Sequence, residues 1–348
     1  MRLFHAAPIV LLLCAGCANP DPVQVRARIL AQQAQSQPAA PAVAAAPVPE
    51  CGLPARFDTL AVRMDGLQPV VRVGMDEATA TMVLDTGASE TIVTTGLAAR
   101  FNARAAQPAT QRSFVGIDGR TAVQRGFVDT LKLGTATLRQ VNLTISPASL
   151  GTPAQPRDGL LGLDLLGLFD MDLDLAGGRV KLYRGKLCPD AASPWPVAAT
   201  EVKARRAKLD PLLGAEQLPA NRAEQRAARL EVPVVLNGKI VWALIDTGAT
   251  NSVVAADTAR TVGVTEAALA GDPVGQTLGA GGKTALVHLH SFDSLRVAGE
   301  ALPQPRLLIG PLPAGTAMLL GADYLRNHRV WLSYATARVF VAKEKLAD

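Results

Sequence analysis

The chain is poor in aromatic residues, in cysteine and in net charge. Aromatic side chains make up 4% of the 348 residues, so its hydrophobic cores must consist mainly of Val, Leu, Ile and Ala. The formal net charge of +5 is too small to indicate a nucleic-acid-binding protein. The apolar stretch from Ala6 to Leu13 is too short to span a bilayer.

The rest of the composition is typical of a mostly β protein. A length of 348 residues fits two domains of ordinary size, and 49% hydrophobic residues can fill two cores. Thirty glycines and 24 prolines separate many short runs rich in Val and Leu. Short β-branched and aliphatic runs bounded by turn residues are typical of strands, so we expect an all-β fold class.

The first 18 residues have the layout of a bacterial export signal. Arg2 precedes the apolar stretch, and small residues surround Cys17. This pattern is similar to a lipoprotein signal, in which Cys17 would become the lipidated first residue of the mature protein. Leu13 stands one residue earlier than such signals usually place it, so cleavage by an ordinary signal peptidase after Ala18 remains the alternative.

Residues 19 to 50 are rich in Ala, Pro and Gln and have almost no large apolar side chains. Such a composition predicts a flexible tether. A tether behind a lipid anchor would hold the folded part away from the membrane. We therefore expect a periplasmic protein attached to a membrane, preferentially the outer membrane, through Cys17.

Two cysteines, Cys51 and Cys188, lie outside the signal region. They bracket the first of two repeated units described below. In an oxidising periplasm this pair predicts a disulfide that closes a loop of well over a hundred residues. Two buried free thiols are the alternative.

The tetrapeptide Asp-Thr-Gly-Ala occurs twice, beginning at Asp85 and at Asp246. An apolar run precedes each copy, from Thr81 to Leu84 and from Trp242 to Ile245, and β-forming residues follow. Each aspartate is therefore predicted in a tight turn between two buried strands. Two such turns in one chain could face each other.

The repeat extends well beyond the tetrapeptide. Its matching parts, in chain order, are the hairpins Pro69 to Gly74 and Pro233 to Gly238, the Gly-rich segments Phe114 to Gly119 and Thr277 to Gly282, the Leu-Leu-Gly segments Leu160 to Leu166 and Leu319 to Leu325, and the closing hairpins Met171 to Tyr183 and Val330 to Val341. The two aspartates are 161 positions apart and the two Leu-Leu-Gly glycines 159. Such equal spacing indicates an internal duplication.

These residues resemble the aspartic proteases, and within them the retropepsin-like branch. The resemblance covers about residues 56 to 187 and 228 to 344. It rests on the two Asp-Thr-Gly-Ala turns followed in order by the Leu-Leu-Gly segments, on a Gly-rich hairpin in both halves, and on Ala rather than Ser or Thr after each Asp-Thr-Gly. It implies an acid-protease fold with two pseudo-twofold-related, β-barrel-like lobes and an active-site cleft between them.

The resemblance also implies roles for individual residues. Asp85 and Asp246 would be the catalytic pair, Thr86 and Thr247 would lock the two turns together, and Gly87 and Gly248 would let the turn backbone approach the carboxylates. Two flaps would cover an extended polypeptide substrate, formed by Gly116, Ile117, Asp118 and Gly119 in the first half and by Gly279, Ala280, Gly281 and Gly282 in the second.

Two adjacent carboxyl groups cannot both ionise easily, so they would share one proton and activate a water without any cofactor. Because Ala88 and Ala249 supply no hydroxyl donor, we expect activity at mildly acidic to near-neutral pH. The sequence thus predicts a monomeric aspartic endopeptidase of the cell envelope. The alternatives are a catalytically silent peptide-binding protein of the same fold and lobes that pair between two chains.

The predicted domains are an N-terminal lobe at 51–188 and a C-terminal lobe at 230–348, joined by a basic connector at 189–229. The connector is expected to be a solvated link, although contact with anionic lipid or a partner is an alternative. We predict no metal site: His288 and His290 have no further His or Cys nearby, and the alternating Asp170, Asp172 and Asp174 lack the Gly and Glu of a calcium loop.

Overall fold

A computed structural model describes residues 51–101, 104–105, 112–152, 155–185, 187–195, 198–207 and 228–343. The signal segment with Cys17, the tether at 19–50 and residues 208–227 of the connector lie outside the described residues. The part of the chain from Glu50 to Asp348 forms one unit that contains both halves of the repeat.

The described residues form 27 strands and five short helices. The first half contains β1 (Ala55–Ala61), β2 (Arg63–Asp65), β3 (Gln68–Met75), β4 (Ala78–Leu84), β5 (Ile92–Thr94), β6 (Arg104–Ala105), β7 (Arg112–Gly116), β8 (Gly119–Leu133), β9 (Ala136–Ser146), β10 (Leu150–Thr152), β11 (Gln155–Arg157), β12 (Gly159–Leu161), β13 (Asp170–Asp174) and β14 (Arg179–Arg184). The connector contributes β15 (Thr200–Lys203) and β16 (Arg205–Arg206).

The second half contains β17 (Leu230–Leu236), β18 (Lys239–Ile245), β19 (Val253–Ala255), β20 (Val274–Leu278), β21 (Thr284–Ser291), β22 (Ser294–Val297), β23 (Glu300–Pro303), β24 (Arg306–Gly310), β25 (Met318–Leu320), β26 (His328–Ser333) and β27 (Arg338–Lys343). The helices are α1 (Thr95–Arg100), α2 (Leu163–Leu166), α3 (Ala256–Thr261), α4 (Glu266–Gly271) and α5 (Ala322–Leu325). None of the helices in the described residues is long and apolar enough to cross a membrane.

Each half of the chain folds into one large sheet, and the two sheets share one connectivity. The first has the order β2-β3-β4-β12-β5-β9-β8-β6, with β7 paired to β8. The second has the order β20-β21-β24-β19-β25-β18-β17-β22-β23, with β16 paired to β17. In both, the strand before the Asp turn runs parallel to the Leu-Leu-Gly strand, as β4 does to β12 and β18 to β25. The all-β fold with two matched lobes is the predicted one.

A third sheet combines strands of both halves. Its order is β1-β14-β13-β26-β27-β15, so the two closing hairpins lie side by side, and β13 pairs with β26 between the lobes. The connector contributes its edge strand, β15, which pairs with β27. Asp172 is buried in this sheet and accepts two hydrogen bonds from Arg329 of the other half, at 2.8 and 2.7 Å. The lobes are therefore joined by backbone pairing as well as by the chain.

The core is aliphatic, as the shortage of aromatic residues predicts. One hydrophobic cluster runs through both lobes, and most of its members are Leu and Val. A smaller cluster collects aromatic side chains, Trp195, Trp331 and Phe340, around Leu187 beside the shared sheet. Close to it, Cys51 and Cys188 form the predicted disulfide, with their Cα atoms 4.8 Å apart and a separation of 137 positions in sequence.

Candidate active site

Asp85 and Asp246 stand at equivalent places in the two lobes. Each directly follows a strand whose last three residues are buried, β4 for Asp85 and β18 for Asp246. The N–H of Asp85 donates to the carbonyl of Leu161 and that of Asp246 to the carbonyl of Leu320, both at 3.0 Å. A hydrogen bond to the Leu-Leu-Gly strand thus fixes the backbone of each aspartate at the end of its own strand.

The two turns are locked together by their threonines, which hydrogen-bond across the lobe boundary. The Thr86 hydroxyl donates to the carbonyl of Ile245 at 2.8 Å, and the Thr247 hydroxyl donates to that of Leu84 at 2.6 Å. Each hydroxyl also accepts the backbone N–H of the other threonine, at 3.1 and 3.0 Å. Since both threonines are buried, these four bonds hold the aspartates in one fixed relation.

Glycine follows each threonine because the opposite carboxyl group occupies the space of a side chain. A Cβ at Gly87 would lie 2.4 Å from Cγ of Asp246, and a Cβ at Gly248 would lie 2.4 Å from Cγ of Asp85. Both distances are far shorter than van der Waals contact. The two carboxyl groups can therefore approach each other only because both positions lack a side chain.

The carboxyl groups of Asp85 and Asp246 are buried and hydrogen-bonded to each other. Burial raises the pKa of both, and the negative charge of Asp246 raises the pKa of Asp85 further. Backbone N–H groups oppose this shift: Gly87 and Ala88 donate to Asp85 at 2.9 Å. In the other lobe, Gly248 and Ala249 donate to Asp246 at 2.9 and 3.1 Å. Such a pair shares one proton over a range of pH and titrates as a unit.

A second pair of aspartates, Asp164 and Asp323, holds the loop that follows each turn. Asp164 accepts the hydroxyl of Thr91 at 2.6 Å, and Asp323 accepts that of Ser252 at 2.8 Å. The Leu-Leu-Gly glycines pack on the same loops, since a Cβ at Gly162 would lie 2.5 Å from Glu90 backbone. Burial raises the pKa of Asp164 to about 6. Asp164 and Asp323 lie in the first turns of α2 and α5, and they stabilise the loops that follow the Asp-Thr-Gly turns.

The aspartates open into a cleft of about 380 Å³ that is lined by both lobes. Matched apolar pairs form much of its wall: Val83 with Leu244, Ile92 with Val253, and Leu160 with Leu319. The charged residues in the lining, besides the two aspartates, are Glu90, Arg112, Arg157 and Arg229. The cleft therefore offers apolar contacts on both sides and charge that is distributed unequally.

Two hairpins reach the cleft as the sequence analysis anticipated. The first joins β7 to β8 and the second joins β20 to β21. Only the leading half of each Gly-rich tip lines the cleft, with Gly116 and Ile117 in one and Gly279 and Ala280 in the other. Asp118 and Gly119, like Gly281 and Gly282, are not among the lining residues.

Asp118 joins the two flap tips. Its Oδ2 accepts the backbone N–H of Lys283 at 3.0 Å, and its carboxyl group fills the space beside the second tip. A Cβ at Gly279 would lie 2.3 Å from Cγ of Asp118, and a Cβ at Gly281 would lie 2.5 Å from its Oδ2. The equivalent of Asp118 in the second flap is Gly281, which has no carboxylate to make the same contact with the first flap.

Arg229 is a cleft residue that the sequence analysis assigned to the solvated connector. It precedes β17 and lines the cleft, where its charge lowers the pKa of Asp246 against the larger effect of burial. The register of the repeat could have located it. Arg229 lies 17 residues before Asp246, as Gln68 lies 17 before Asp85, and Gln68 also lines the cleft.

Two other basic residues of the connector, Arg205 and Arg206, bind the protein itself. Arg205 pairs with Glu231 at 2.6 Å, and Arg206 donates to the carbonyl of Tyr334 at 2.7 Å. Among the described residues, no group of three His, Cys, Asp or Glu side chains converges as a metal site would require. His290 binds Asp272 at 2.6 Å instead.

Comparison with protein families connects this geometry to a known group. The sequence model of the aspartyl protease family matches residues 71–165 and 232–324, which together exceed half of the chain. The chain belongs to the aspartyl protease family. The two matched segments correspond to the two lobes of the chain, and each contains one Asp turn and one Leu-Leu-Gly segment.

Among solved structures, this family member is similar to the aspartic proteinase from Irpex lacteus, with 13% sequence identity and a TM-score of 0.48, over 83% of this chain and 97% of that one. The comparison with curated protein sequences found no match.

Proposed function

We propose that this protein is an aspartic endopeptidase that hydrolyses extended polypeptides, with Asp85 and Asp246 as the catalytic pair. The observation that carries the proposal is the pair itself: two buried, hydrogen-bonded carboxyl groups at the base of a cleft between matched lobes. Two carboxyl groups are costly to bury together, and a protein that only bound peptides would not need them.

The shared proton gives the pair both functions that hydrolysis requires. The ionised carboxylate takes a proton from a water molecule placed between the two groups, and the water oxygen attacks the peptide carbonyl. The protonated carboxyl group donates its proton to the developing oxyanion. Collapse of the tetrahedral intermediate then breaks the C–N bond: the carboxyl group that took the water proton gives it to the leaving nitrogen, and the other carboxylate takes a proton from the intermediate's hydroxyl as the new carbonyl forms. Hydrogen bonds from the turn N–H groups hold the carboxyls in place throughout.

The flaps and the apolar wall support a proposal for the substrate class. An extended peptide between the aspartates and the hairpins could hydrogen-bond through its backbone to the flap tips, as an added strand would. Its side chains would meet the matched apolar residues on both sides of the scissile bond. We therefore propose extended polypeptides with apolar residues near the cut as substrates.

The test is cleavage of a diverse peptide library by the mature protein, compared with its Asp85→Asn and Asp246→Asn variants. We expect each variant to lose at least about 1,000-fold in kcat/KM, because the pair loses its acid or its base. Unchanged thermal unfolding would show that both variants fold. Full activity of either variant would contradict the shared-proton mechanism. Peptide binding without cleavage by the unmodified protein would instead favour a catalytically silent binding protein.

We further propose that the enzyme acts in the cell envelope, attached to a membrane through a lipidated Cys17. This rests on the sequence of the first 18 residues and on the Cys51–Cys188 disulfide, since disulfides persist in oxidising compartments. Cell fractionation of the full-length protein and of Cys17→Ala tests it. Release of the variant into the soluble periplasm is expected, and equal distribution of both proteins would contradict lipidation.

A further inference from the structure

Arg229 places a positive charge in the wall of the cleft without a carboxylate to neutralise it. The other two cleft arginines have partners: Arg112 pairs with Glu90 and Arg157 with Asp65, both at 2.8 Å. No salt bridge to Arg229 occurs in the described part of the chain. Its Nε is buried and also has no hydrogen-bond partner there. A buried Nε–H without an acceptor is unfavourable, and a ligand that carries an acceptor would satisfy it.

The pair of Asp85 and Asp246 does not supply an acceptor for Arg229. Asp246 is close enough for the charge of Arg229 to affect it, but the two form no salt bridge. The Asp246 carboxyl group already accepts N–H groups from Gly248 and Ala249 and hydrogen-bonds Asp85. In the described part of the chain, Arg229 therefore forms a salt bridge with neither a structural carboxylate nor a carboxyl group of the catalytic pair.

At this position of the repeat, only the second lobe carries a charged side chain. Gln68 holds the equivalent position before Asp85 and is neutral, although it lines the same cleft. A peptide that lies across two pseudo-twofold-related lobes meets Gln68 on one side of the scissile bond and Arg229 on the other. The cleft can therefore distinguish, by charge, the substrate residues on one side of the scissile bond from those on the other.

We propose that Arg229 binds a carboxylate of the substrate near the scissile bond and so makes the enzyme selective for acidic peptides on that side. The inference rests on the peptidase function proposed above. Arginine presents its N–H groups in a planar fork that matches a carboxylate, which lysine cannot reproduce. The carboxylate could belong to an Asp or Glu side chain or to the C-terminus of the peptide, and the two sources share this chemistry.

The test uses peptides built around a cleaved library sequence, with Glu or Gln at each position near the cut and with a free or amidated C-terminus. We expect kcat/KM to favour Glu over Gln about tenfold or more at one position if a side chain is bound. A similar preference for the free C-terminus is expected if the terminus is bound. A loss of either preference in Arg229→Gln, and only partial retention in Arg229→Lys, would support the proposal.

A swapped variant provides the matched control. In Gln68→Arg combined with Arg229→Gln, the preference for Glu should move to the opposite side of the scissile bond. A Glu-to-Gln ratio near one at every position, together with no preference for a free C-terminus, would overturn the proposal. So would a loss of activity in Arg229→Gln that is equal for all peptides and accompanied by a shifted pH profile, because Arg229 would then act only on the dyad.

Failure of the peptidase function can be separated from failure of this inference. If the unmodified protein cleaves nothing, the affinity of fluorescent Glu and Gln peptides for the Asp85→Asn protein still measures carboxylate recognition. We expect about tenfold tighter binding of the acidic peptide, which the additional Arg229→Gln change should remove. Equal affinity of the two peptides would overturn the role of Arg229.

Discussion

Backbone N–H groups donate to the Oδ1 oxygen of both Asp85 and Asp246. Ala88 and Ala249 each donate an N–H to this oxygen, but their methyl side chains offer no second donor. Burial raises the pKa of both groups above its ordinary value, and the charge of Asp246 raises that of Asp85 further. A pair that shares one proton loses activity at low pH when both groups are protonated, and at high pH when both are ionised.

At the residue scale, we predict that Ala88→Ser combined with Ala249→Ser shifts the pH–rate profile to lower pH by about one unit. A serine hydroxyl would donate to the carboxylate and stabilise its ionised form, which lowers the pKa. The measurement is kcat/KM against pH for one cleaved peptide. Ala176→Ser, in an exposed turn, serves as the control. An unchanged profile, or an optimum near pH 2 for the unmodified enzyme, would contradict this account.

The meeting of Asp85 and Asp246 could be predicted from sequence because both lie in a repeated motif with buried strands around it. Arg229 is harder to recognise, since it lies among several basic residues of the connector and only its register in the repeat, which matches that of Gln68, separates it from them. Its position depends on how β17 meets the opposite lobe. Its neighbour in sequence, Leu230, is buried, whereas the Arg229 side chain is partly exposed in the cleft.

At the scale of elements, the two flaps differ although their sequences correspond. The first flap contributes a carboxylate at its tip, and the second contributes glycines that leave room for it. The sequence predicted two Gly-rich hairpins but not their contact, because Asp118 and Lys283 are 165 residues apart and meet only after both lobes have formed. The closed cleft is consequently held by a contact between unlike tips.

We predict that Asp118→Ala increases flap motion. The Lys283 N–H would lose its acceptor and the second tip would lose the side chain that fills the space beside it. Hydrogen exchange over 112–119 and 277–284 should become about tenfold faster, since a hydrogen bond to a charged group contributes about 1.5–3 kcal/mol. KM for short peptides should rise as the closed state becomes less populated. Asp118→Asn retains an acceptor oxygen and is expected to change exchange less. Exchange as slow in Asp118→Ala as in the unmodified protein would refute the flap contact.

At the scale of the whole molecule, the shared six-stranded sheet joins the lobes. The two closing hairpins could be anticipated from the repeat, but the pairing of β13 with β26 could not. That pairing places a strand of one half next to a strand more than 150 residues away, and no local residue pattern specifies such a partner. The buried Asp172 illustrates the difference: its alternation with Asp170 and Asp174 is visible in sequence, while its partner, Arg329, is not.

The disulfide between Cys51 and Cys188 also affects the stability of the whole molecule. It joins the start of β1 to the residues that follow β14, on an edge of the shared sheet. We predict that Cys51→Ser combined with Cys188→Ser lowers the free energy of unfolding by up to about 5 kcal/mol, since the disulfide restricts a long loop in the unfolded chain. Urea unfolding of the oxidised protein and of the variant measures the difference. The oxidised protein treated with reductant should match the variant, and equal midpoints for all three samples would contradict the prediction.

The covalent union of the two lobes also has a genetic consequence. In an assembly of two identical subunits, one mutated codon changes both walls of the cleft, so a cation would appear twice. Here each wall has its own codons, and a charge can be gained at Arg229 while Gln68 stays neutral. Selection can therefore alter the preference on one side of the cut independently of the other, while the Thr86 and Thr247 contacts keep the chemistry symmetric.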